Sequence, residues 1–170
     1  SGILLRLTAV VPDNGTLQAS ITGNDLTVAD IDSTARNNDL TISVSGTNLV
    51  ITDANEAFGT IPAGGLLSNG DKTLTIPLAS FTGRLIVNTA LGEDRITARS
   101  SLSLLPGGLT IKGGASGDTY RFDADSALGQ ITLDEAGGGV DTLDFSLTTT
   151  VGVTANLGAA ATQIVHATNL

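Results

Sequence analysis

The feature that most constrains this chain is a glycine-rich turn that ends in an aspartate and recurs with a nearly fixed period. The clearest copy is Gly113-Gly114-Ala115-Ser116-Gly117-Asp118, which runs directly into the alternating segment Tyr120-Arg121-Phe122. The turn aspartates are spaced 23, 24 and 23 residues apart, at Asp71, Asp94, Asp118 and Asp141. A period of this length, with one turn and its strands in each repeat, is typical of a solenoid.

Composition indicates the fold class. Hydrophobic residues make up 41% of the chain but aromatic residues only 3%, so the core must be aliphatic and thin. Short strands joined by Gly, Asn, Asp or Pro cannot bury a face alone, whereas coils stacked at strand spacing can. We therefore predict an all-β fold, a right-handed parallel β-helix or solenoid with coils of about 23–24 residues. A β-sandwich is the alternative, because short strands with frequent turns also predict one.

The length of 170 residues predicts a single domain over 1–170. The repeat is clearer in 71–170 than in 1–70, which reads as irregular and opens with a strand at Ile3–Val11. We expect the domain to be a fragment of a longer repeat protein, with neighbouring repeats or a second copy covering its open ends.

The net charge of the chain limits the classes of partner that it can bind. The net charge of −9 disfavours nucleic acid and anionic membrane surfaces, and it permits divalent cations. Apolar runs fall short of the roughly 18 residues that a membrane span needs, so we expect no membrane insertion. The absence of cysteine excludes disulfides and thiol catalysis and is compatible with an extracellular location.

The glycine turns resemble the bacterial hemolysin-type, or repeats-in-toxin, nonapeptide G-G-x-G-x-D-x-U-x, in which U is a large apolar residue. The segment from Gly113 to Arg121 matches both leading glycines, the aspartate and the apolar position, with Ser116 in place of the third glycine. The segment from Ala136 to Asp144 matches with Ala136 in place of the first glycine. The resemblance implies a segment of a large bacterial secreted or cell-surface protein.

The aspartate column is the candidate binding feature. If one period is one coil, these carboxylates stack about 4.8 Å apart and repel one another. A Ca²⁺ ion between coils would relieve the repulsion with carboxylate and turn carbonyl oxygens. The candidate ligands are Asp94, Asp118, Asp141, Gly117, Gly139 and Asp123, with Asp125, Asp134, Glu135 and Asp144 nearby. In the alternative interpretation, each aspartate caps its own turn and points into water.

The resulting functional prediction is a non-enzymatic structural or adhesive module, with calcium as its candidate stabilising ion. One alternative is a calcium-dependent adhesin domain that binds cell-surface carbohydrate or protein. Another is a β-helix enzyme that degrades acidic polysaccharides with Arg121, Asp123 and Asp125 along one groove.

Overall fold

The computed structural model describes residues 15–153 and 163–167. These residues form an all-β structure, which confirms the predicted class. The first seven strands are β1 (Leu17–Thr22), β2 (Asp25–Asp30), β3 (Asp39–Ser45), β4 (Asn48–Asp53), β5 (Phe58–Thr60), β6 (Leu66–Ser68) and β7 (Thr73–Pro77). The next seven are β8 (Leu85–Asn88), β9 (Arg95–Ala98), β10 (Leu109–Lys112), β11 (Thr119–Phe122), β12 (Gly129–Leu133), β13 (Thr142–Asp144) and β14 (Gln163–Ala167). Short 3-10 helices occupy Leu78–Ser80 and Leu102–Leu104. The predicted strand Ile3–Val11 lies outside the described residues.

The strands form two mixed sheets of seven strands each. Sheet A has the order β14-β12-β10-β8-β2-β1-β5, and sheet B has the order β13-β11-β9-β3-β4-β7-β6. The chain alternates between the sheets from β8 onward, so that β8, β10 and β12 lie in sheet A and β9, β11 and β13 lie in sheet B.

Four neighbouring strands of each sheet are parallel and in register. In sheet A, Leu26 of β2 aligns with Leu85, Leu109 and Ile131 of β8, β10 and β12. In sheet B, the aligned residues of β3, β9, β11 and β13 are Leu40, Ile96, Tyr120 and Leu143. Residues 22 to 24 positions apart therefore lie side by side from β8 to β13.

The N-terminal part is built differently. Within its described residues, β1 and β2 form one antiparallel hairpin and β3 and β4 another, and β7 adds antiparallel to β4. Asp71 belongs to this part, because it lies in the turn between the antiparallel strands β6 and β7 and not in the parallel series. The prediction that Asp71 begins the aspartate series is therefore wrong: the same glycine-aspartate chemistry also suits an antiparallel hairpin turn, where Asp71 has a φ of 63°.

The core lies between the sheets and is aliphatic, as composition predicted. Alternate residues of strands such as β2, β4 and β11 face it, so that Leu26 and Val28 of β2 are buried and the intervening Thr27 is not. Tyr120 and Phe122 share the inward face of β11, which confirms that prediction. Each fully buried Leu or Ile contributes roughly 1.5–3 kcal/mol of transfer free energy.

Candidate functional site

Two columns of mostly polar, inward-facing residues meet at one corner between the sheets, which we call the acidic corner. The start column precedes the parallel strands of sheet B and consists of Asn38, Asp94, Asp118 and Asp141. The end column lies at or just past the ends of the parallel strands of sheet A and consists of Asp30, Thr89, Gly113 and Glu135. Both columns keep the side-chain alternation of the core residues beside them, and this places polar groups at the core's margin.

Side chains of the start column connect successive repeats. The backbone N–H of Asn38 donates to Asp94 Oδ1 at 2.7 Å, that of Asp94 donates to Asp118 Oδ1 at 2.9 Å, and that of Asp118 donates to Asp141 Oδ1 at 3.0 Å. Each aspartate therefore caps the amide of the preceding member of the column and not its own turn. Each of these bonds gives a backbone amide at the corner an acceptor, so this ladder adds to the strand pairing.

Burial distinguishes these aspartates from ordinary turn residues. Asp94 is 2% exposed and Asp118 is 1% exposed, whereas Asp141 is exposed. Burial raises the pKa of Asp94 to about 7 and also raises the pKa of Asp118. The interpretation in which every aspartate points into water is therefore wrong for Asp94 and Asp118.

A second network crosses the corner between the two columns. The hydroxyl of the fully buried Tyr120 donates to Glu135 Oε1, and the Gly113 N–H donates to the same oxygen at 3.2 Å. A Cβ at Gly113 would collide with the Tyr120 hydroxyl and the Asp118 carboxylate, so glycine leaves the room that this network needs. Burial raises the pKa of both Tyr120 and Glu135.

Three carboxylates come together at the end of the columns nearest β13. Asp118, Glu135 and Asp141 each offer an oxygen within 4.8 Å of the other two, which is compatible with shared ligation of one cation. Burial raises the pKa of Asp118 and of Glu135, and one oxygen of Glu135 has no hydrogen-bond partner. Two of the predicted ligands, Asp118 and Asp141, belong to this group.

The other predicted ligands lie elsewhere or act differently. Asp94 is one repeat away from the group. Asp123 follows the far end of β11 and accepts a hydrogen bond from Ser126 at 3.0 Å, so it does not join Asp118. Gly139 has a φ of 141°, and a Cβ there would collide with the Ser116 carbonyl; a Cβ at Gly117 would approach the Val140 carbonyl to 2.9 Å. These glycines let adjacent repeats approach closely.

The Asp125 carboxylate also makes structural hydrogen bonds. Its carboxylate accepts hydrogen bonds from the hydroxyls and amides of Thr149 and Thr150 and from the amide of Val151. These hydrogen bonds hold the pKa of Asp125 well below its usual range, and the bond from the Thr150 hydroxyl has the largest effect. Asp125 therefore caps backbone amides that follow it by about one repeat, whereas the aspartates of the start column cap amides that precede them.

Sequence reasoning missed Asp30 and Asn38, and it did not select Glu135 from the nearby carboxylates. Asn38 stands before an alternating strand as Asp94 does, but 56 residues separate the two because β4 to β7 lie between them. The alternation of β3, with Leu40 and Ile42 inward, was the available signal.

Comparison of the chain with protein-family models, with curated protein sequences and with solved structures found no match. In the part of the chain that the structure describes, helices of the length and apolarity needed to cross a membrane do not occur.

Proposed function

We propose that this chain is a non-enzymatic structural module, a parallel β-solenoid segment of a large bacterial cell-surface or secreted protein. The observation that carries the proposal is the in-register parallel stacking of one strand per repeat in each sheet. Typical β-sandwich sheets pair antiparallel, so these rows favour the solenoid. A stack in which each repeat contacts mainly its neighbours extends by adding repeats, which suits a rigid spacer.

The start column supports this role. Its carboxylate-to-amide bonds couple each repeat to the next at the corner, where the glycine turns break the strand ladder. Among the strands that the structure describes, β13 at the edge of sheet B pairs with β11 alone. Neighbouring repeats of the same protein, or a second copy, would pair with this edge.

Calcium is the stabilising ion that we propose for the group formed by Asp118, Glu135 and Asp141. Three carboxylates within 4.8 Å repel one another when ionised, and a hard cation with oxygen ligands removes that repulsion. Asp118 and Asp141 come from successive repeats, so a shared ion would hold those repeats together.

Melting in excess calcium and in chelator tests this site. At about 100 times the dissociation constant, binding to the folded state adds about 2.7 kcal/mol and raises Tm by roughly 5–10 °C. The Asp141→Asn variant should lose the part of this shift that the site supplies. Asp144→Asn, whose parent carboxylate pairs with Arg121 at 3.1 Å, is the matched control and should keep the full shift. An equal calcium shift in both variants would contradict the assignment.

A second candidate function is a calcium-dependent adhesin domain that binds carbohydrate or protein on other cells. A polar cavity of about 410 Å³ beside the start column favours it. Its lining includes Asn37, Asn55, Glu93 and Arg95, which together offer amide, carboxylate and guanidinium groups for ligand hydroxyls. Ligand binding that is lost on chelation would distinguish the adhesin from a passive spacer.

The enzymatic alternative receives less support from the geometry. It relied on Arg121, Asp123 and Asp125 along one groove. The Asp125 carboxylate is occupied by five hydrogen-bond donors of Thr149, Thr150 and Val151, and Arg121 pairs with Asp144. A screen with acidic polysaccharides that detected turnover, lost in Asp123→Ala, would overturn the non-enzymatic assignment.

A further inference from the structure

At the opposite end of the acidic corner, three side chains converge from different strands. Asp30 is the last residue of β2 and follows the inward-facing Leu26 and Val28. Asn38 precedes β3, whose inward residues are Leu40 and Ile42, and Asp94 stands in the equivalent position before β9. Strand alternation therefore directs all three side chains between the sheets.

Each of these side chains has an oxygen without a hydrogen-bond partner: Asp30 Oδ2, Asn38 Oδ1 and Asp94 Oδ2. The three residues are 6%, 1% and 2% exposed, so bulk water does not satisfy these oxygens. A buried polar group without a partner costs about 1–3 kcal/mol, and a buried charge costs more. Three such atoms at one corner are oxygen donors of the kind that a cation binds.

One contact and the strand register place the three residues at the same end of the corner. Asn38 donates its backbone N–H to Asp94 Oδ1 at 2.7 Å. Asp30 lies in line with Thr89 in the register of β2 and β8, so it is the first member of the end column as Asn38 is the first member of the start column. Burial is the main cause that raises the pKa of Asp94. The negative charges of Asp118 and Asp30 raise it further.

The surrounding charges do not neutralise this end of the corner. Asp53 and Glu56 are buried nearby and their charges raise the pKa of Asp30 further, after the main effect of its burial. Arg36 pairs with Asp32 and Glu56, and Arg95 pairs with Asp39. Further charges beside Asp94 are those of Glu93, its chain neighbour, and Asp118. The local balance is therefore strongly negative.

We propose that Asp30, Asn38 and Asp94 bind a Ca²⁺ ion between the N-terminal hairpins and the first β8–β9 repeat. Ca²⁺ takes six to eight oxygen ligands and accepts mixed carboxylate and amide sets, whereas Mg²⁺ demands near-octahedral geometry and retains its water. Each of the three oxygens has less than 1 Å² of accessible surface, so the lysine or arginine head group of a partner does not reach them. The ion would complete its ligand set with water molecules and backbone carbonyls.

This site extends the calcium stabilisation proposed above to a second position, and the two are separable. Asp30 and Asn38 belong to the antiparallel N-terminal part, whereas Asp94 opens β9. An ion held by all three would join two differently built parts of the module. The Asp118, Glu135 and Asp141 group lies between the last two repeats and does not include these residues.

Calorimetric titration of the chelator-treated full chain with CaCl₂ at pH 7.5 tests the proposal. Asp30→Asn should lose one bound ion, or bind it at least about tenfold more weakly, a change of about 1.4 kcal/mol. Asp30 Oδ1 accepts the Asp32 N–H at 2.7 Å, and asparagine retains that acceptor, so the fold should persist. Asp94→Asn should show the same loss, while Asp141→Asn should retain this ion and lose the other.

The matched control is Asp32→Asn, which changes a partly buried carboxylate two residues away that is already paired with Arg36 at 2.9 Å. It should bind calcium as the unchanged chain does. Calcium binding by Asp30→Asn that equals that of the control overturns the proposal, as does binding of Mg²⁺ with equal affinity. If only Asp141→Asn loses an ion, this second site is wrong and the first stands. If the unchanged chain binds no calcium, both are wrong.

Discussion

Replacing Asp118 with alanine should lower the free energy of unfolding by about 2–4 kcal/mol, because it leaves a buried amide without an acceptor. Asp118 Oδ1 accepts the Asp94 N–H at 2.9 Å, and its other oxygen lies 3.5 Å from the Tyr120 hydroxyl. Alanine removes both acceptors from a residue that is 1% exposed. Urea unfolding followed by circular dichroism measures the loss.

Two further variants separate hydrogen bonding from charge. Asp118→Asn keeps an oxygen for the Asp94 amide and removes a carboxylate that lies close to Asp141. In chelator it should therefore unfold at nearly the urea concentration of the unchanged chain. Asp144→Ala removes a carboxylate from a partly exposed ion pair with Arg121 and should have little effect. If Asp118→Ala were as mild as Asp144→Ala, the aspartate ladder would have no role in stability.

Stability in chelator should fall as pH rises from about 4 to 7, because folding leaves a proton on Asp94. Burial raises the folded pKa of Asp94 from 3.8 to about 7, against smaller opposing effects of the Asn38 amide and the Thr89 hydroxyl. Below the unfolded pKa both states carry the proton, and the stabilisation is fully present. Between the two pKa values the folded state alone holds it, and stability declines by about 1.4 kcal/mol per pH unit. Above pH 7 the loss is complete, on the order of 4 kcal/mol.

Asp94→Asn provides the comparison that isolates this group. Asparagine retains an acceptor for the Asn38 amide but cannot ionise, so its stability should vary less with pH. The variant should be more stable than the unchanged chain at pH 8 and lose that advantage by pH 4. Parallel stability curves for the two proteins from pH 4 to 8 would contradict the assignment. In calcium at pH 8 the unchanged chain should be more stable than Asp94→Asn, because the ion binds the ionised carboxylate.

The start column shows what the sequence predicts well. The spacing of Asp94, Asp118 and Asp141 indicated that they stack, and each accepts an amide hydrogen bond from the preceding member of the column. Alternation predicted that Tyr120 and Phe122 share an inward face. These predictions rest on strand geometry, which acts locally and repeats with the period.

The rest depends on contacts that spacing does not encode. Asn38 belongs to the column, but the inserted antiparallel strands hide it 56 residues away from Asp94. Asp71 has the right spacing, but it occupies a hairpin turn, where the same residue types are favoured. Glu135 reaches the site across the corner from sheet A, and only the packing of the two sheets brings it to Asp118.

The parallel, in-register stacking of strands such as β10 and β12 underlies the proposed solenoid, and disulfide formation tests it most directly. The chain has no cysteine, so an introduced pair is unambiguous. Thr110→Cys and Thr132→Cys change aligned residues of β10 and β12, which lie about 4.8 Å apart, within the range for a disulfide. The control pairs Thr110→Cys with Gln130→Cys, which is displaced by two residues, or about 6.6 Å, along the strand. We predict rapid oxidation of the aligned pair in the folded protein and slow oxidation of the control. Faster oxidation of the control, or equal rates, would contradict the stacked parallel repeat.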